Sequence, residues 1–139
     1  MTRAAVERVV RSAYAARKAG ELAAACGHFA EDGRFSIAGD RLASPIAGSA
    51  EGHEAIRAAL AGVMGALDWV SHDIVELLVE GDRAAVRSRA TVRAKATGEE
   101  VETEMLDLIQ VRDGKIISFH QFCDTARAAQ LLASVPGSG

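Results

Sequence analysis

The stretch EMLDLIQV, Glu104–Val111, reads as a β-strand with an aspartate, Asp107, set between two leucines. Side chains alternate across a strand, so Asp107 faces one way while Leu106 and Leu108 face the other. The fold's interior depends on which of these faces is covered. The preceding segment, residues 84–95, alternates Arg87, Arg89, Thr91, Arg93 and Lys95 with Val86, Ser88, Ala90, Val92 and Ala94. A two-residue turn at Thr97–Gly98 sets Lys95 opposite Glu100, Arg93 opposite Glu102 and Thr91 opposite Glu104, with Arg89 diagonal to Glu104. This face is a ladder of complementary charges suited to solvent. The other face sets Val86, Ser88, Ala90, Val92 and Ala94 against Ile109, Asp107, Met105, Thr103 and Val101. Covering it turns Asp107 inward, with Ser88 expected across from it, and turns Leu106 and Leu108 outward. The opposite phase solvates Asp107, but it buries rows of Arg and Glu and leaves the Val86–Ile109 row uncovered.

The rest of the chain supplies the cover. Val6, Val9, Val10, Ala13, Tyr14 and Arg17 recur at helical spacing over residues 3–18, after Thr2 as N-cap and before Gly20 as terminator. ELAAACGHF starts a second, short helix. RFSIA, residues 34–38, is a short strand, and GDRLASPIAGSAEG reads as loop. A third helix runs from His53 to Gly62 or slightly beyond on Ile56, Leu60 and Val63. Strands are expected at 72–79, 84–95, 101–111 and 116–123, punctuated by Gly81–Asp82, Thr97–Gly98 and Asp113–Gly114. TARAAQLLAS forms a short helix capped by Asp124, and the PGSG end frays. Helices followed by a meander imply an α+β domain spanning 1–139, with three N-terminal helices on one side of a curved antiparallel or mixed sheet and a short C-terminal helix.

Composition narrows the function classes. The chain has 139 residues, 49% apolar and 25% charged, with a net charge of −3, which argues against nucleic-acid or anionic-membrane binding. No run is long enough to span a membrane, and the N-terminus lacks a signal-peptide core, so the expected location is cytoplasmic. Two cysteines, Cys26 and Cys123, make neither a disulfide framework nor a metal motif and are read as buried thiols. His28, His53, His72 and His120 lack metal-ligand spacing. No phosphate-binding glycine loop occurs, and no metal or organic cofactor is implied.

With Asp107 inward, the last strand places Ile117, Phe119, Gln121 and Cys123 on the inner face and Ser118, His120 and Phe122 outside. Asp107 and Gln121 are then the polar groups of an apolar interior. A carboxyl group there must be hydrogen-bonded or neutral. Tyr14 either packs in the core or donates into the pocket; Trp69 either plugs the cavity mouth or caps the core. Phe35, Ile37, Asp40, Trp69, Ser88, Met105 and Phe119 are expected to line the pocket.

The segments YAARKAGELAAACGHFAEDGRFSI, GSAEGHEAIRAAL, SHDIVELLVEGDRAAV and LDLIQVRDGKIISFHQFCDTA together resemble a nuclear-transport-factor-2-like domain of the SnoaL-like and ketosteroid-isomerase-like group. The resemblance implies a cone-shaped fold around a pocket and a homodimer formed through the convex sheet face, with Leu106, Leu108 and Phe122 at the contact. It matches Tyr14 and Asp107 to the tyrosine and protonated aspartate of the ketosteroid-isomerase oxyanion hole. That family's base position falls at Ile37, with Asp40 displaced by three residues. In the limonene-epoxide-hydrolase pattern, Asp107 matches, while Met105 and Gln121 replace the arginine and the second aspartate. In SnoaL-type cyclases an aspartate and histidines surround the pocket; Asp107 and His120 are the candidates here.

The resulting expectation is binding of a small apolar oxygenated molecule, polyketide- or steroid-like. The chemistry would be cofactor-free proton transfer of isomerase, cyclase or dehydratase type, with Asp107, Tyr14 and Gln121 at the reacting oxygen. The alternatives are a non-catalytic small-molecule binder and a structural or partner-binding dimer with a filled pocket.

Overall fold

A computed structural model of the chain describes residues 2–40 and 46–133. Part of the expected loop, 41–45, and the PGSG end lie outside the described residues. Helix α1 (Arg3–Ala19) begins where the Thr2 hydroxyl accepts a hydrogen bond from the Ala5 N–H at 3.1 Å. It ends at Gly20, whose φ of 74° lets its N–H reach back to the Ala16 and Arg17 carbonyls. Helix α2 (Leu22–Gly27) packs beside it, and α3 (His53–Ala66) packs against α2. A closing helix, α4 (Thr125–Ala133), starts where Asp124 Oδ1 accepts from the Arg127 N–H at 2.9 Å.

The strands are β1 (Phe29–Ile37), β2 (Gly48–Glu51), β3 (Leu67–Glu80), β4 (Arg83–Ala94), β5 (Glu100–Arg112) and β6 (Lys115–Cys123). They form one sheet in the order β2-β1-β6-β5-β4-β3. Only the β1–β6 pairing is parallel, so the sheet is mixed. The result is an α+β architecture with helices over one face of the sheet. Val6, Val10, Ile56, Val86, Val111 and Ile116 are sealed in the core between them.

Strand phase follows the expected pattern. Val86, Ser88, Ala90, Val92, Val101, Met105, Asp107 and Ile109 are buried, while Leu106 and Leu108 stand exposed beside Phe122. Register does not follow it. Arg93 pairs with Glu100, Thr91 with Glu102 and Arg89 with Glu104, a slip of two residues from the expected hairpin. Asp107 therefore faces Val86, and Ser88 faces Met105. The cause is the turn, which is longer than two residues. The Ala94 N–H bonds to the Glu99 carbonyl and the Gly98 N–H to the Ala94 carbonyl, with Gly98 at φ 78°. A two-residue slip preserves the faces because the side-chain period is two.

Three further differences come from irregular pairing. Strand β1 starts at Phe29, not Arg34, because it bulges between Phe29 and Arg34 before rejoining β6. Strand β2 lies inside the expected loop; GSAE has little β-propensity, and its pairing with β1 makes it a strand. In β6 a bulge opposite Gln110–Val111 buries Ile116 in place of the expected Ile117.

Gly33 sits in the β1 bulge. A Cβ there would lie 3.0 Å from the Ala30 carbonyl oxygen and 3.1 Å from that of Ile116, and neither backbone group yields easily. Gly33→Ala is expected to lower stability in urea unfolding by about 1–3 kcal/mol. Gly27→Ala, whose Cβ meets nothing within 4 Å, should leave stability unchanged or higher. Equal stability of both variants would mean the bulge relaxes freely.

Candidate functional site

Between the helices and the inner face of the sheet lies an apolar cavity, about 100 Å³ of which is open to the centres of water-sized molecules. The chain has few aromatic residues: four Phe, one Trp and one Tyr. All but Phe122 line this cavity. Phe29, Phe35 and Phe119 form one cluster with ring centroids 5.6–6.2 Å apart. Tyr14, His72 and Trp69 form a stack: Tyr14–His72 at 4.7 Å and His72–Trp69 at 4.4 Å with rings 8° from parallel. The Arg17 guanidinium lies over the Trp69 ring, 4.8 Å from its centroid.

At the inner end of this stack the Tyr14 hydroxyl donates to Asp107 Oδ2 at 2.5 Å, joining α1 to β5. Asp107 is fully buried, and its Oδ1 has no hydrogen-bond partner. Burial is the main cause of a carboxyl pKa raised to about 7; Tyr14 and Gln121 pull it the other way. Gln121 stands directly across the β5–β6 pair from Asp107. Its amide favours the charged carboxylate without completing a bond to Oδ1. Burial and the neighbouring carboxyl raise the Tyr14 pKa, so the phenol keeps its proton.

Two other groups are held neutral. Burial lowers the His72 pKa to about 4; Asp73 opposes the shift, while Lys18 and Arg17 add to it. The His72 Nε2 is buried without a partner. Burial, then Asp107 and Asp124, pushes the Cys123 thiol up to about 11, so it is a poor nucleophile.

Among the residues expected at the site, Tyr14, Gln121, Phe35, Ile37, Trp69, Met105 and Phe119 line the cavity. Asp107 does not; it lies behind Tyr14, whose hydroxyl donates to it. Ser88 is also sealed beneath the wall and does not line it; its hydroxyl lacks a partner. Asp40 is exposed and does not line the cavity. His120 lies on the outer face, where it shares a 2.5 Å hydrogen bond with Ser36 and meets Phe122 edge-on. Of the two expected buried thiols, Cys26 is buried, while Cys123 is half-buried in the cavity wall.

Sequence reasoning passed over Arg17 and His72. Arg17 had a signal, a charged residue within the apolar stripe of α1. His72 stood next to Asp73, but adjacent strand residues face opposite ways, and β3 carries bulges at Trp69/Ser71 and Ile74/Glu76 that reset its alternation. Among the described residues, no group of three His, Cys, Asp or Glu side chains is placed to hold a metal ion. No described helix is long and apolar enough to cross a membrane.

The fold is matched in known proteins. An NTF2-like protein from Burkholderia xenovorans LB400 superimposes with a TM-score of 0.76 at 27% identity, over 95% of this chain and 98% of that one. TerC, co-crystallised with polyporic acid, gives 0.78 at 19% identity over 94% and 99%. A protein of ketosteroid-isomerase-like fold from Catenulispora acidiphila, in complex with trimethylamine, gives 0.73 at 20% identity over 92% and 93%. No curated protein shows significant sequence similarity to the chain. The family model of the SnoaL-like domain matches residues 10–119, and with the cone fold built around this cavity it makes the chain a member of the SnoaL-like family, within the NTF2-like superfamily.

Proposed function

We propose that the cavity binds a small apolar molecule carrying a carbonyl or similar oxygen, and that Tyr14, backed by Asp107, donates a hydrogen bond to that oxygen during cofactor-free proton transfer. The observation that carries this reading is the 2.5 Å Tyr14–Asp107 contact behind an apolar cavity wall. With Asp107 in its neutral form, the acid O–H donates to the Tyr14 oxygen and the single phenolic proton turns to the ligand oxygen, so the pair stabilises a developing oxyanion in a site shielded from water. Gln121 lines the same wall and offers a second N–H. Structures of the same fold with polyporic acid and with trimethylamine support occupancy of this scaffold by small organic molecules.

The general base is the less supported half of the mechanism. Ile37 occupies the position where the ketosteroid-isomerase pattern has its carboxylate, and Asp40 stands outside. Asp124 lines the cavity, but its carboxylate also caps α4. These observations favour a second reading, a non-catalytic binder in which Tyr14 only orients the ligand. The two readings separate in deuterium exchange at the α-carbon of a panel of cyclic enones and aryl ketones, followed by proton NMR. For the enzyme, Tyr14→Phe should slow exchange by about 10²-fold or more while ligand affinity persists. Asp107→Asn should also slow it. Exchange at the parental rate in both variants would remove these residues from the chemistry; binding without exchange in the parent would favour the binder.

A neutral acid also has a signature in stability. Asp107 holds its proton in the folded state up to about 7 but releases it near 3.8 when unfolded. Its contribution is therefore complete below 3.8 and is lost as pH rises toward 7. His72 works in the opposite sense: neutral when folded, it loses its contribution as pH falls from 6.5 toward about 4. The stability of the parent minus that of Asp107→Asn should fall steadily between these limits in urea titrations. A flat difference would mean an ordinary, ionised carboxylate.

The homodimer belongs to the same proposal. On the convex face Leu78, Ala85, Leu108 and His120 follow one another across four strands, with Leu106 and Phe122 in the adjoining row. Leu78 is 62% exposed and Leu108 47%. This apolar band fits a second copy of the chain, flanked by the Arg–Glu ladder. Leu108→Arg should convert a dimer to a monomer in sedimentation velocity; a parent that sediments as a monomer at high concentration overturns the assignment.

A further inference from the structure

Arg17 is a polar group of the cavity wall that the oxyanion chemistry does not use. It lies three residues after Tyr14 on α1, so the two side chains leave the same helix face one turn apart. Both line the cavity. The guanidinium is fixed twice: one N–H donates to the Leu67 carbonyl at 3.0 Å, where α3 passes into β3, and its plane rests on Trp69. Among the described residues it forms no ion pair. The nearest candidate, Asp68, is engaged on the outer side by Arg93 at 3.6 Å and Lys95 at 3.4 Å. Burial outweighs the pull of Asp68 and lowers the Arg17 pKa to about 10, leaving the group cationic at neutral pH. The remaining charged residues of the wall, Asp124 and Arg127, are exposed at the mouth, and Asp124 caps α4.

An oriented, half-buried cation on the wall of an apolar cavity, without a carboxylate partner among the described residues, is a ready site for an anion. A ketone or alcohol bound at Tyr14 would leave that site unfilled. We propose that Arg17 is the anion-recognition residue of the site and that its ligand is an apolar carboxylate, with the acid group on the Arg17 fork and the ligand's body along the Trp69 and Phe119 rings. The planar guanidinium suits a carboxylate because it presents several N–H donors in one plane. A further carbonyl or hydroxyl of the ligand, about one helical turn away, would then face Tyr14. This inference rests on the cavity being the binding site and narrows its substrate class to organic acids.

The test is isothermal titration calorimetry at about pH 8, where arginine is charged and carboxylic acids are ionised. Two matched pairs serve as probes: phenylacetate with phenylacetamide, and 2-naphthoate with 2-naphthamide. The parent should bind at least one acid about tenfold or more tightly than its amide, the scale of a charged hydrogen bond. Arg17→Gln should remove that preference, so that acid and amide bind it alike. Arg17→Lys, which keeps the charge, should retain much of it. A role confined to anchoring Leu67 would shift both members of a pair alike. Equal binding of acid and amide by the parent, or an unaltered preference in Arg17→Gln, overturns the assignment and leaves the cavity reading standing. Binding of none of the four probes overturns both.

Discussion

The contact between Tyr14 and Asp107 is the constraint around which the rest of this molecule is arranged. A carboxyl group with no solvent exposure is tolerable only if it is neutral or hydrogen-bonded, and here both conditions contribute. Burial favours the acid, while the hydrogen bond that Tyr14 donates to one oxygen pulls toward the anion; among the described residues the other oxygen has no hydrogen-bond partner. The contact also joins elements 93 residues apart, so the first helix can approach the fifth strand in only one orientation. The wall of the cavity follows from that orientation: Ala13, Tyr14 and Arg17 on one side, Met105, Phe119 and Gln121 on the other.

The distribution of aromatic side chains follows the same logic. A core built mainly from Ala, Val, Leu and Ile packs densely without large rings. The few rings that exist are placed around an opening, where flat rigid surfaces contact a ligand at little entropic cost. The Tyr14–His72–Trp69 stack, closed by Arg17, extends the polar site along one wall. Its members influence one another's protonation. Arg17 helps hold His72 neutral, and Asp107 helps hold Tyr14 and Cys123 protonated. The wall therefore offers fixed donors, the Arg17 cation and, at its exposed mouth, Arg127, with little nucleophilic character.

Legibility from sequence differed by type of feature. The Thr2 cap, the Gly20 stop, the turns at Gly81–Asp82 and Asp113–Gly114 and the Asp124 cap were all readable, because each depends on a few adjacent residues. The hairpin at Thr97–Gly98 was recognised but mis-registered by two. Its glycine is compatible with more than one loop length, and the complementary Arg–Glu ladder pairs acceptably in either register. Strand β2 was hidden because GSAE looks like loop until β1 lies beside it. Of the residues expected around the cavity, Tyr14, Gln121 and the aromatic side chains lie in its wall, whereas Asp107, Ser88 and Asp40 do not line it. His72 was obscured by bulges that a strict alternation cannot anticipate.

By itself, the sequence determined which face of each central strand is wet. A period of two leaves only two choices, and a ladder of Arg and Glu cannot be buried. It thereby turned Asp107 inward and Leu106, Leu108 and Phe122 outward, whatever the register. Only the tertiary structure decided that Tyr14, and not Asp107, forms the cavity surface, and that Arg17 closes the stack over Trp69. Those outcomes depend on how deeply α1 sits against the sheet and where bulges fall. Contacts between residues far apart in the chain set both, and no local spacing records them.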